Sequence, residues 1–192
     1  MREKIQVEKE ISDFEGLTKT EQAKVLDKYR DINVDDNYWH ECILDEFKHA
    51  LELLGFSKVV INYTGFWSQG DGASFTGSFS VPRGKSELAK RAQAVLSEYP
   101  EFPMEAFLDM TFDEDDIEEG TFFIERIGHH YYHSNSITTY NEPLKLFART
   151  FSDFMYKQLE KLYDDLTSDN AVKDTIISND YRFDTHTLKI FA

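Results

Sequence analysis

The stretch Ser57–Val81, "SKVVINYTGFWSQGDGASFTGSFSV", decides how the chain can fold. Its first part is rich in β-branched and aromatic residues. A glycine-rich break, "SQGDG", follows, and then Phe75, Ser78, Phe79 and Val81 continue the extended pattern. Two such runs around glycine turn chemistry predict a β-hairpin. In the turn, Gly70 and Gly72 are expected to supply positive φ while Asp71 bonds local amides. A turn does not require Trp67 or Gln69, so these two are candidates to line a binding surface together with Asp71.

Working outward, Thr18 and Glu21 read as a capping box opening a helix through "KTEQAKVLDKYRDI", with Ala23, Leu26 and Tyr29 on one face. Asn33 or Asp35 is placed to cap a second helix, "NYWHECILDEFKHALELL". There Trp39, Ile43, Phe47, Ala50 and Leu54 recur at helical spacing. Gly55 stands where a left-handed C-terminal cap belongs. Cys42 lies beside the apolar stripe and reads as a buried, inert thiol. Beyond the hairpin, residues 84–98 form a helix on Leu88, Ala92 and Val95. The stretch after Pro100 reads as a helix or a surface excursion. "TFFIERI", "GHHYYHSN" and "SITTYNE" read as a second hairpin. A long amphipathic helix runs from Pro143 to about Leu166, with Leu146, Phe147, Phe151, Phe154, Leu159 and Leu162 as its core face. Thr167 or Ser168 caps a short last helix, and "YRF…TLKIF" closes the chain in extended form. Trp39, Phe47, Leu54, Phe151 and Phe154 are expected to be largely buried. The class is α+β: a small antiparallel sheet of two hairpins packed by helices, in a single domain over residues 1–192.

Net charge is −15, from 36 acidic against 21 basic residues. Such a balance repels nucleic-acid phosphates and favours the basic surface of another protein. Residues 101–119 hold nine carboxylates and no lysine or arginine. Asp113, Glu114, Asp115 and Asp116 are therefore candidate partner contacts. One cysteine excludes an internal disulfide and fits a reducing compartment. The first residues offer no apolar run for a signal peptide, and no segment approaches the ~20 apolar residues of a membrane span. A cytoplasmic protein with no membrane partner is expected.

Catalytic and cofactor motifs are not met. "GDGASF" lacks the lysine and following helix of a phosphate loop, and a strand, not a helix, follows where a dinucleotide fingerprint needs one. Asp71 alone does not make a calcium loop. His129, His130 and His133 crowd into "HHYYHSN", but no cysteine lies near them to complete a zinc site. No cofactor, resident metal or enzymatic activity is expected. Trp67, Gln69 and Asp71 should share a sheet with the second hairpin and contact it near His130 and Tyr132. A small-ligand or metal site between the GDG hairpin and the HHYYH turn is the alternative reading.

Several stretches together, "KYRDINVD", "GFWSQGDGASFTGSF", "GHHYYHS", "LEKLYDDLTSDNAV" and "NDYRF", resemble a group of small acidic proteins encoded by phages and prophages. Its members are commonly labelled hypothetical proteins or antitoxins of a toxin–antitoxin stability system. The resemblance covers residues 13–83 and 120–183. The acidic excursion of 101–119 and the "FDTHTL" ending depart from the group. The resemblance implies a bacterial host cell as the setting. It also implies an interaction protein that neutralises or modulates a host or competitor protein, as an antitoxin or anti-defence inhibitor does.

Overall fold

A computed structural model describes residues 10–36, 38–111, 121–128 and 142–191, with 121–128 described as backbone. The fold is α+β and falls into two compact units, residues 1–39 with 162–192 and residues 40–161.

In the larger unit the predicted hairpin forms. Strands β2 (Phe56–Tyr63) and β3 (Ala73–Ser80) pair antiparallel, with Ile61 opposite Phe75 and Tyr63 opposite Ala73. β4 (Thr121–Gly128) pairs on the far side of β3, giving the order β2-β3-β4. β4, expected as the first strand of a second hairpin, thus shares a sheet with the first hairpin, and Gly128 stands opposite Ser74 near the loop end; the turn and second strand expected of that hairpin, residues 129–141, lie outside the described residues. The register of β2 shifts between Ser57 and Val60, and Lys58 takes a left-handed φ of 54°. Across from this bulge a Cβ on Gly77 would come within 3.0 Å of the Ser57 carbonyl oxygen, a tight contact that the bulged backbone would have to ease by a few tenths of an ångström.

Helices α2 (Glu41–Leu53), α3 (Lys85–Glu98), the short α4 (Glu105–Leu108) and most of α5 (Glu142–Leu166) complete this unit. Its core is phenylalanine-rich. The Phe56 ring lies 5.4 Å from Phe75, 4.7 Å from Phe79 and 5.9 Å from Phe147, and Phe147 lies 5.5 Å from Phe151. These rings join both strands of the hairpin to α5. Gly55 ends α2 in the left-handed region at φ 98°, as its position predicted. Arg91 on α3 donates to the Leu54 and Ser80 carbonyls beside it, tying helix end to strand end.

In the smaller unit, β1 (Ile11–Asp13), β5 (Arg182–Asp184) and β6 (Ile190–Phe191) form a second antiparallel sheet in the order β1-β5-β6. The sheet packs with α1 (Lys19–Lys28) and α6 (Asp169–Ser178) around Phe14, Leu17, Val25, Val172, Ile176 and Phe183. The capping box is present: Thr18 accepts from the Glu21 amide, and Glu21 accepts from the Thr18 amide. The bonds from Thr18 hold the Glu21 carboxyl below its ordinary value. This cap therefore contributes above the usual carboxylate range and is lost as pH falls through the lowered value. Ser168 caps α6, as expected.

Other elements differ from expectation. α2 begins at Glu41 behind His40, and neither Asn33 nor Asp35 caps it. Asn33 instead donates to the Leu166 carbonyl and accepts from Thr175. Trp39 precedes the helix, is half-buried and packs edge-on against Tyr163. Cys42 is exposed, because the buried face of α2 is set by Phe47, Ala50 and Leu51 and Cys42 falls well round the helix from it. Ala23 is exposed, and Val25 is the buried residue of α1. On α5 the buried stripe is Leu144, Phe147, Ala148, Phe151, Met155 and Leu159, steps of three and four that leave Leu146 out at 55% exposure. Phe154 is partly buried against the same core. Gly70 and Gly72 do not take positive φ, since the loop from Thr64 to Gly72 is wide enough to turn without it. The acidic stretch is not all excursion: Phe102, Met104, Phe107 and Met110 are buried while Glu101, Glu105 and Asp109 stay outside.

The α5 stripe gives a paired prediction. Phe151→Ala should cost the larger unit about 3–5 kcal/mol, and Leu146→Ala should stay within about 0.5 kcal/mol, both read from denaturant unfolding. Equal losses would place the wrong face inward.

Candidate functional site

The loop between β2 and β3 is held from several directions. Thr64 donates its amide to the Gly72 carbonyl at 3.0 Å, and the Gly72 amide donates to the Thr64 hydroxyl at 2.9 Å, closing the base. Within it, one Asp71 carboxylate oxygen accepts from the Trp67 amide at 2.8 Å and the Ser68 amide at 2.7 Å. The Asp71 amide donates to the Ser68 carbonyl, also at 3.0 Å. An ionised acceptor bridging two consecutive amides is a strong local clamp. The local role read from the sequence for Asp71 is the one that the structure shows.

Beneath the loop runs a line of aromatic contacts. Phe66 packs 6.0 Å from Tyr63, 5.6 Å from Tyr156 on α5 and 6.3 Å from Trp67. The Tyr156 hydroxyl donates to the Gly65 carbonyl at 3.3 Å. Burial, with Glu160 and Asp71 nearby, pushes the Tyr156 phenol up, so the donor keeps its proton at neutral pH. Tyr63, raised by burial, is 2.9 Å from His40 Nδ1, and their rings meet edge-on at 5.1 Å. Trp67 itself is 76% exposed, and Gln69 is exposed beside it. The loop is anchored from below while it offers a large amphipathic ring to solvent.

Trp67, Gln69 and Asp71 are thus brought together. His130 and Tyr132, with His129 and His133, lie outside the described residues, as do Asp113, Glu114, Asp115 and Asp116. The expected contact with His130 and Tyr132 and the ligand site at the HHYYH turn fall there too. Among the described residues no group of three or more histidine, cysteine or carboxylate side chains could hold a metal ion. No helix there is long and apolar enough to cross a membrane. The His40–Tyr63 pair and the anchoring role of Tyr156 were not legible in the sequence, because neither contact is local in the chain.

A family model described as "Domain of unknown function (DUF8835)" matches residues 39–169. The chain belongs to the DUF8835 family. No curated protein and no solved structure matches it. The match takes in the whole larger unit, so the clamped loop belongs to the DUF8835 domain, whereas β1, α1, β5 and β6 lie outside it.

If Asp71 holds the loop, Asp71→Ala should speed amide hydrogen exchange at Trp67 and Ser68 and leave β3 protected. Unchanged rates at both amides would show that the aromatic anchors suffice alone.

Proposed function

We propose that this DUF8835 protein is an acidic, phage-derived interaction protein. It binds the basic surface of a host or competitor protein and neutralises or modulates it, in the manner of an antitoxin or anti-defence inhibitor. The observation that carries the reading is Trp67, 76% exposed on a loop whose backbone Asp71 fixes. Tryptophan is enriched among the residues that dominate binding energy, and a preordered loop loses little entropy on docking. Gln69 beside it supplies polar contacts at the rim.

The net charge of −15 supports the basic partner. Complementary charge acts on encounter rate and selectivity, and it disfavours direct contact with nucleic acid. The phage setting and the inhibitory role rest on the resemblance of the "FWSQGDGASF" block. Asp113, Glu114, Asp115 and Asp116 are proposed as further contacts to the basic partner on their charge alone.

Affinity capture from host lysate, followed by binding measurements on the captured protein, tests the reading. Trp67→Ala should weaken binding by about 30-fold or more, equal to a loss of about 2 kcal/mol. Affinity of the parent should fall as the Debye length shrinks from ~10 Å at 0.1 M salt to ~3 Å at 1 M. A variant with Asp113, Glu114, Asp115 and Asp116 changed to Asn or Gln should associate more slowly. A partner that binds Trp67→Ala as tightly as the parent would remove the loop from its docking site.

A further inference from the structure

A cavity of about 360 Å³ opens in the smaller unit between the turn after β1 and the end of α6, outside the residues that the family model matches. Phe14 and Ile176 are buried at its floor, and Ile177 is 39% exposed on its wall. Glu15, Asp180 and Arg182 stand exposed around it. From this we infer that the smaller unit carries a second binding site, which takes an arginine side chain of a peptide segment.

Size narrows the occupant first. Pockets for small molecules run from about 300 to 1,000 Å³, so this one suits a side chain or two better than a nucleotide or a large cofactor. Charge narrows it further. Asp13, Glu15 and Asp180 line the cavity against Arg182 alone, so phosphate and carboxylate ligands are repelled. Asp13 stands opposite Arg182 in the β1–β5 register and offsets that cation, while its carboxylate accepts from the Gly16 amide at 2.7 Å. Glu15 and Asp180 then face the incoming group. Among the described residues no three carboxylates are placed to hold a metal ion, which favours an organic cation.

The end of α6 adds to the same field. Asp180 takes a left-handed φ of 51°, its amide donates to the Ile177 carbonyl and the Tyr181 amide donates to the Ile176 carbonyl. This is the pattern that closes a helix C-terminus. Such an end carries partial negative charge, and α6 has no basic residue in its last turn to answer it. Glycine is the usual residue at the left-handed position, and here the place holds a carboxylate beside the cavity. Of the organic cations a guanidinium fits this lining best. It is planar, donates to carboxylates as a fork and stacks on aromatic faces such as that of Tyr181, whereas an ammonium is more strongly hydrated. The aliphatic stem of the arginine covers Ile177 and Phe14.

Titration of the full chain with acetyl-Ala-Arg-Ala-amide at low salt, followed through backbone amide chemical shifts, tests this. The amides of Glu15, Ile177, Asp180 and Tyr181 should shift saturably, with a dissociation constant at or below about 1 mM. The lysine analogue should bind more weakly, and the glutamate analogue should leave these amides unmoved. Glu15→Gln with Asp180→Gly should weaken the arginine peptide about fivefold or more. The melting temperature should hold in that variant, since glycine suits the left-handed position. Shifts that do not saturate by about 10 mM peptide would overturn the inference. So would a lysine or glutamate peptide that binds as tightly, or a variant that binds the arginine peptide as the parent does. The site shares no residue with the Trp67 loop and the readout needs no captured partner, so these results leave the clamped-loop reading as it stands.

Discussion

Everything in the larger unit depends on one contact, the phenylalanine rings that seal α5 onto the hairpin. Phe56 and Phe75 come from the two paired strands, Phe147 and Phe151 from adjacent turns of α5, and their centroids lie between 5.4 and 5.9 Å apart. Rings of this size bury much apolar surface and prefer offset or edge-on contacts, so they fix the helix in both position and rotation. Tyr156 lies on the same helix, beside the buried Met155, and reaches the Gly65 carbonyl because the packing aims it there. The loop that carries Trp67 is therefore ordered from the core outward.

The order reaches Trp67 by short steps. The core places Tyr156 and Phe66, these hold the near end of the loop, and Asp71 holds the far end through two amides. Each link is a packing contact or a hydrogen bond that positions backbone. A clamped loop carrying an exposed aromatic ring can recognise a surface, and this is the capacity from which the proposed function is drawn.

Sequence made the local devices legible. The capping box at Thr18, the left-handed Gly55, the Leu88–Ala92–Val95 stripe and the Ser168 cap each depend on residues a few positions apart. What it hid depends on distant partners. Ile11–Asp13 is too short to show alternation, and it becomes a strand only because Arg182–Asp184 lies beside it. Trp39 shares helical spacing with Phe47 by coincidence and packs instead on Tyr163. Leu146 is apolar and close to the stripe, but one residue's rotation takes it out to solvent. The acidity of 101–109 masked Phe102, Met104 and Phe107, which turn into the core. At the loop, glycine composition suggested positive φ, whereas the turn is made by Asp71 and Thr64 hydrogen bonds.

The central claim is that the clamped loop is where this DUF8835 protein meets its partner. Hydrogen-exchange footprinting of the captured complex against the free protein tests it most directly. New protection should concentrate at residues 64–72, with β3 unchanged because it is already protected. Protection confined to the smaller unit, with exchange at Trp67 and Ser68 the same in both states, would contradict it.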